Sequence, residues 1–144
     1  MKTIGIIGSR RRDAEVDFWA VHEMFQKLYC PGDGICSGLC PKGGDWFAVL
    51  IALGMDYVSD ERERKGILKK VKEGAIEYKI QPIWFPPEWD KYGKAAGFIR
   101  NADIAKKSDI LIACVTDDRT GGTEDTISRF IKAKSGGLYL VHLV

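Results

Sequence analysis

The sequence is poor in the groups that most often announce a reaction. Histidine occurs only twice in 144 residues. His22 and His142 lie at opposite ends of the chain, so nucleophilic catalysis that leans on an imidazole is not expected. Four cysteines are present, yet no C-x-x-C pair exists. Cys30, Cys36 and Cys40 cluster, Cys114 sits in a later apolar run, and neither histidine is near the cluster in sequence. Buried thiols are therefore expected rather than a zinc site, and no metal or other cofactor is expected. G-x-G-x-x-G, H-E-x-x-H, G-x-S-x-G and P-C-x-x-C are all missing, which argues against a dinucleotide fingerprint, a zincin, a hydrolase elbow and a zinc deaminase. There are no internal repeats and no low-complexity segments.

An excess of either charge is also lacking. Twenty-two basic and 20 acidic side chains give a formal charge of +2, so nucleic acid and membrane surfaces are not expected partners, and any anion site must be local. The longest apolar run, residues 46–55, would cover about 15 Å as a helix, half a bilayer, and reads as a core segment. The opening MKTIGIIG is too short for a signal sequence, so a cytoplasmic protein with reduced thiols is expected. With 45% hydrophobic residues and this length, one domain buries about two-thirds of its unfolded surface, enough for a core without staples.

What is present is an alternation of short apolar runs and amphipathic stretches. Residues 3–7 form a β-rich run ending at Gly8. Residues 13–30 carry Val16, Ala20, Met24 and Leu28 at four-residue steps, flanked by Trp19, Val21 and Phe25, which predicts a helix with a wide apolar face. Pro31-Gly32-Asp33-Gly34 stops it. Residues 35–37 make a minimal strand, and residues 44–55 a helix apolar nearly all round, hence buried. Residues 60–79 hold seven basic and five acidic side chains around a narrow stripe of Ile67, Leu68, Val71 and Ala75. Asp60 and Glu63 fit a capping box, and the segment reads as a solvated helix at the periphery. Residues 80–85 form a strand interrupted by Pro82, as at a sheet edge. A helix over 93–107, a strand over 109–115, a helix over 123–134 and a strand over 138–143 complete the chain. Strand–helix alternation repeated five times predicts a three-layer α/β domain spanning residues 1–144, with a parallel sheet covered on both faces; we expect five strands in the order 3-2-1-4-5. Its expected core includes Ile6, Ile35, Ile110, Ile112 and Leu140.

In such sheets ligands bind beyond the carboxyl ends of the strands, so the loops that follow strands are the place to look. Gly8-Ser9-Arg10-Arg11-Arg12 precedes a helix start. Three arginines beside the positive end of a helix are unfavourable by about 0.3–1 kcal/mol each, a conflict that a bound anion relieves; the alternative is neutralisation by Asp13, Glu15 and Asp17. Ser37-Gly38-Leu39-Cys40-Pro41-Lys42-Gly43-Gly44-Asp45 has the glycine spacing of a Walker loop. Gly44 and Asp45 stand where lysine and serine or threonine are needed, which excludes a P-loop NTPase. Asp45 is either a ribose acceptor or an N-cap. Trp89 and Tyr92 either sandwich a base or cover core. Thr123 is a possible cap ahead of Glu124 and Asp125, which suit the helix dipole.

Four stretches together, IGIIGSR (residues 4–10), SGLCPKGGD (37–45), EWDKYGKAAGFIRN (88–101) and GGTEDTI (121–127), resemble the SLOG superfamily, and through W-x-x-x-G-K-A-A-G-x-x-R-N most of all its short YspA-like stand-alone group. The superfamily also includes the LOG phosphoribohydrolases and the DprA/Smf DNA-processing proteins. The resemblance implies a Rossmann-like fold that binds a nucleotide or a nucleotide-derived ligand. It implies ligand-loop roles for Gly8, Ser9, Arg10, Ser37, Gly38, Gly44, Asp45, Arg100, Asn101, Gly121, Gly122 and Thr123. It implies a homodimer through helix faces.

LOG enzymes carry P-G-G-x-G-T-x-x-E, whose glutamate takes part in cleaving the N-glycosidic bond. Here Thr126 takes the glutamate position, and Glu124 lies about 200° away around the helix. Asp45 and Glu124 remain the candidate catalytic carboxylates, with Asp117 and Asp118 less favoured. The expectation is a binding module that senses or sequesters its ligand. The alternatives are a nucleotide N-glycosidase and, less favoured, a DprA-like binder of single-stranded DNA. Arg10 and Arg100 are expected to converge on one anion, and removing either is expected to leave the melting temperature of the apo-protein nearly unchanged or raised.

Overall fold

The computed structural model describes residues 1–142; residue 143, the expected end of the last strand, and residue 144 lie outside the described residues. Five strands, β1 (Thr3–Gly8), β2 (Gly34–Ser37), β3 (Pro82–Trp84), β4 (Ile110–Cys114) and β5 (Leu138–Val141), form one parallel sheet in the order β3-β2-β1-β4-β5. This is a Rossmann-like α/β fold with the expected strand order. Successive strand residues feed opposite faces, as the two-residue period requires. Ile4, Ile6, Ile35 and Ile112 enter one core, while Ile7, Cys36, Leu111 and Ala113 enter the other. Ile6, Ile35 and Ile112 are buried as expected, whereas Ile110 and Leu140 are only half-buried because they lie towards the sheet ends.

The first face is covered by α1 (Glu15–Leu28) and α2 (Gly44–Leu53). Every residue of α2 is buried, as its all-round apolar sequence demands; each large apolar side chain there contributes about 1.5–3 kcal/mol. The buried face of α1 differs from the expected stripe. Phe18, Val21 and Phe25 enter the core and Val16 is 66% exposed. The helix is turned by a polar anchor. Asp17 accepts from the Ala14 N–H at 3.1 Å and from Arg12 Nε at 2.9 Å, and is itself buried.

Helix α3 (Glu61–Glu73) lies over this layer, with Leu68 and Val71 inward and most of its charged side chains in solvent. Asp60 caps it by accepting from Glu63 N at 2.9 Å. The other face carries α5 (Ala96–Lys107) and α6 (Gly122–Ala133), through Ile104, Ala105, Ile127 and Phe130. Before α5 come a single turn, α4 (Trp89–Tyr92), and a 3-10 turn at Gly93–Ala95, so the expected helix over 93–107 is regular only from Ala96. Strand β3 is an edge strand, and its Pro82 has no ladder N–H to lose. No described helix is long and apolar enough to cross a membrane.

Candidate functional site

Strand β1 ends between β2 and β4, where the connections leave the sheet in opposite directions. A cavity of about 390 Å³ opens there, within the size range of small-molecule sites. All four stretches singled out in the sequence reach it: Gly8, Ser9 and Arg10; Cys40 and Asp45; Arg100 and Asn101; and Gly121, Gly122 and Thr123.

The three consecutive arginines have three fates. Arg12 is buried, pairs with Asp17, and donates to the carbonyl oxygens of Val115, at 2.8 Å, and Val141. It is a structural bolt between the β1 loop and the ends of β4 and β5. Arg11 lines the cavity but turns to Asp118, Thr116 and Thr120, and this contact drives the Asp118 carboxyl well below the usual carboxylate range. Arg10 also lines the cavity, is exposed, and makes no hydrogen bond or ion pair with the described residues. The three acids expected to neutralise this cluster are divided too. Asp17 takes Arg12, while Asp13 accepts from Arg64 at 2.9 Å and from the Gly43 N–H at 2.8 Å.

Asp45 sits at the floor of the cavity, 7% exposed. It is not an N-cap, since Gly43 holds that position and Asp45 is the second helical residue. Its Oδ1 is 3.0 Å from Ser37 Oγ; its Oδ2 accepts from the Cys40 N–H at 3.1 Å and lies 3.5 Å from Arg100 Nη1. Burial raises its pKa above the ordinary value, against the pull of Arg100, the Cys40 N–H and Ser37. Ser37 itself has one proton and two acceptors, because its Oγ also lies 2.5 Å from the Ile6 carbonyl oxygen. That proton can serve only one of the two at a time. Ser37 and Gly38 hold this arrangement without lining the cavity. A Cβ at Gly38 would strike Arg100 Nη1 and Asp45 Oδ2.

Gly8 and Gly44 are explained by packing: a Cβ at Gly44 would fall on the backbone of Ile7 and Gly8, and one at Gly8 on Gly44 and Cys114. Their small size lets α2 begin directly against β1. Gly121 and Gly122 have open space around them. Gly121, with φ of 104°, is the N-cap of α6, so Thr123 is not the cap but the second helical residue. Helix geometry leaves the N–H groups of Gly122 and Thr123 without intrahelical acceptors beside the cavity.

Arg100 also donates to the Gly38 carbonyl at 3.1 Å and, through Nε, to Asn101 Oδ1 at 3.0 Å. Its role in the apo-protein is therefore partly structural, which corrects the expectation that its loss would leave stability untouched. Asn101 ties α5 to α6 by donating to Asp125 at 3.1 Å and to the Gly122 carbonyl at 3.4 Å. Glu124 is committed to Arg119, at 2.7 and 2.9 Å, and does not line the cavity. Thr126 does line it and is buried.

Trp89 is 56% exposed on α4 and lies outside this cavity. The loop after β3 instead brings Tyr92 to a second, smaller cavity. Cys36 and Cys114 are buried, with thiols pushed up to about 11 and about 12 by desolvation, but Cys30 is exposed and Cys40 half-buried, so burial holds for only two of the four. No group of three metal-ligating side chains is assembled among the described residues. The Cys40 position, Thr120 and the bonding of Arg64 to Asp13 escaped the sequence reading.

Fold and site together define a Rossmann-like α/β domain with a polar, arginine-lined cleft at the topological switch point of its sheet. In comparisons with known proteins, no family model, curated protein or solved structure matches the chain.

Proposed function

We propose that this chain binds a nucleotide or nucleotide-derived ligand in the cleft at the carboxyl ends of the strands, as a sensing or sequestering module of SLOG type. The observation that carries this reading is Arg10, a cation without a partner among the described residues, lining the same cavity as Arg100 and the free N–H groups at the start of α6. Together they supply charge-assisted donors for a phosphate. That all four family-like stretches contribute lining supports the same reading. Titration calorimetry with nucleoside monophosphates tests it. Arg10→Ala should weaken binding by about 1.5–3 kcal/mol. Binding unaffected by this change rejects the anion role.

Asp45 favours a second reading, an N-glycosidase acting on a nucleoside monophosphate. It is a buried carboxyl on the cavity wall, and an oxocarbenium-like transition state needs such a group. Against it stands Thr126, a neutral hydroxyl at the position where LOG enzymes carry glutamate. Slow or no turnover is expected when free base is followed by chromatography. Rapid turnover abolished by Asp45→Asn would make the enzyme reading correct. Single-stranded DNA is the least favoured ligand, because the near-balanced charge gives no long basic track.

A further inference from the structure

Arg100 lines two cavities. One is the cleft described above; the other, of about 140 Å³, lies between the end of β3, α4 and α5. Its aromatic walls are Trp84, Phe85 and Tyr92. Trp84 and Phe85 pack against the two cores and so are held in place, whereas Tyr92 is exposed. Glu88 and Asp103 stand at the rim, both exposed and engaged in no ion pair or side-chain hydrogen bond among the described residues. The volume of this smaller cavity is about a third of that of the cleft, which suits a flat ring rather than a phosphorylated sugar.

We infer that this second cavity is the base subsite of the ligand, and that it selects a base bearing an exocyclic amino group. The inference rests on the nucleotide reading above and assigns the two ends of the ligand to two compartments. Phosphate and sugar occupy the Arg10 side. The base crosses Arg100 and lies against Tyr92, where aromatic stacking is available whatever the base. Selectivity comes from the rim. The carboxylate groups of Glu88 and Asp103 accept hydrogen bonds and donate none. An amino group satisfies them, while a carbonyl oxygen in its place meets a second acceptor. The sequence offered Trp89 and Tyr92 either as a pair around a base or as cover for the core; the structure keeps Tyr92 beside a cavity and leaves Trp89 outside both.

The test compares ribose 5-phosphate, which has no base, with AMP, CMP and GMP and with the oxo-bearing IMP and UMP, by calorimetry on the full chain. The tightest of the amino-bearing nucleotides should bind about 10- to 100-fold better than ribose 5-phosphate, and better than both oxo-bearing ones. Tyr92→Ala should bring that nucleotide down to the affinity of ribose 5-phosphate and leave ribose 5-phosphate itself unchanged. The double change Glu88→Gln with Asp103→Asn should remove the preference for amino over oxo; both sites are exposed, so the fold is spared. Equal affinity for nucleotides and ribose 5-phosphate, or a Tyr92→Ala loss shared by both, overturns the base subsite while leaving the phosphate site standing. Failure of every compound to bind overturns the nucleotide reading and the subsite with it.

Discussion

Arg10 and Arg12 are the same residue type two positions apart, and the structure gives them opposite consequences. Arg12→Ala strips the buried Asp17 of its ion-pair partner and leaves the Val115 carbonyl oxygen without a donor, while the Val141 carbonyl keeps only the Val115 N–H. Removing one member of a buried pair costs about 3–5 kcal/mol, so a large drop in Tm is expected by calorimetry. Arg10→Ala removes a positive charge from a positive site and should leave the apo Tm unchanged or slightly higher. An equal drop for both would mean that Arg10 has a structural partner. Asp45 belongs to the same scale. Its folded pKa is raised, so its contribution to stability is complete in acid and is lost as the pH rises through the raised value. Asp45→Asn keeps an acceptor for the Cys40 N–H and offers Ser37 a permanent donor. Its stability relative to the unaltered protein should therefore increase from pH 4 to pH 8 in urea unfolding. The reverse slope would show that the Arg100 ion pair outweighs burial. These distinctions were not legible in the sequence. Three adjacent arginines read alike until the chain ends of β4 and β5, more than 100 residues away, supply carbonyls for one and a carboxylate for another.

Among the elements, α2 is the one whose sequence nearly dictates its structure. Ten residues without a polar face other than Asp45 have nowhere to lie but the core, and all ten are buried. The start of the helix is as constrained as its body. Gly44 touches the backbone of β1, so Gly44→Ala must push α2 away from the sheet. Overpacking of this kind costs about 1–3 kcal/mol or more, and the displacement would carry Asp45 with it. Both lower stability and weaker ligand binding are expected, the first by urea unfolding and the second by calorimetry. Gly121 provides the contrast. Its Cβ would meet nothing, so the cost of Gly121→Ala is confined to its positive φ. The face of α1 shows where periodicity misleads. Val16, Ala20, Met24 and Leu28 form a regular row, but the helix is rotated about one residue from it by the Arg12–Asp17 anchor.

At the scale of the molecule, the sheet order puts β1 in the centre and leaves β3 and β5 as edges. The candidate site thus forms around the central strand, with both cores beneath it. A homodimer through helix faces remains our expectation from the SLOG resemblance, and exposed Phe98 on α5 and Ile131 on α6 supply apolar surface for it. Light scattering at micromolar concentration should give twice the chain mass of 16.1 kDa; a monomer would reject this assembly.

The alternation of short apolar strands with amphipathic helices determined the fold class, because a parallel sheet must be covered on both faces. The sheet adopts the expected strand order, but alternation by itself permits other doubly wound orders. It also located the loops at the carboxyl ends: those after β1, β2 and β4 reach the cleft, while the one after β3 lines the smaller cavity beside it. Local pattern carries that much because burial is periodic along the chain. The division of labour inside the site was decided only by the tertiary structure. Whether a glycine leaves room for a helix or for a ligand, and whether an arginine is a bolt or a free cation, depends on atoms brought close from distant parts of the chain. Asp45 is the clearest case. Sequence spacing offers it as a cap or a ribose acceptor, and burial between Ser37, Cys40 and Arg100 makes it neither a cap nor an ordinary carboxylate.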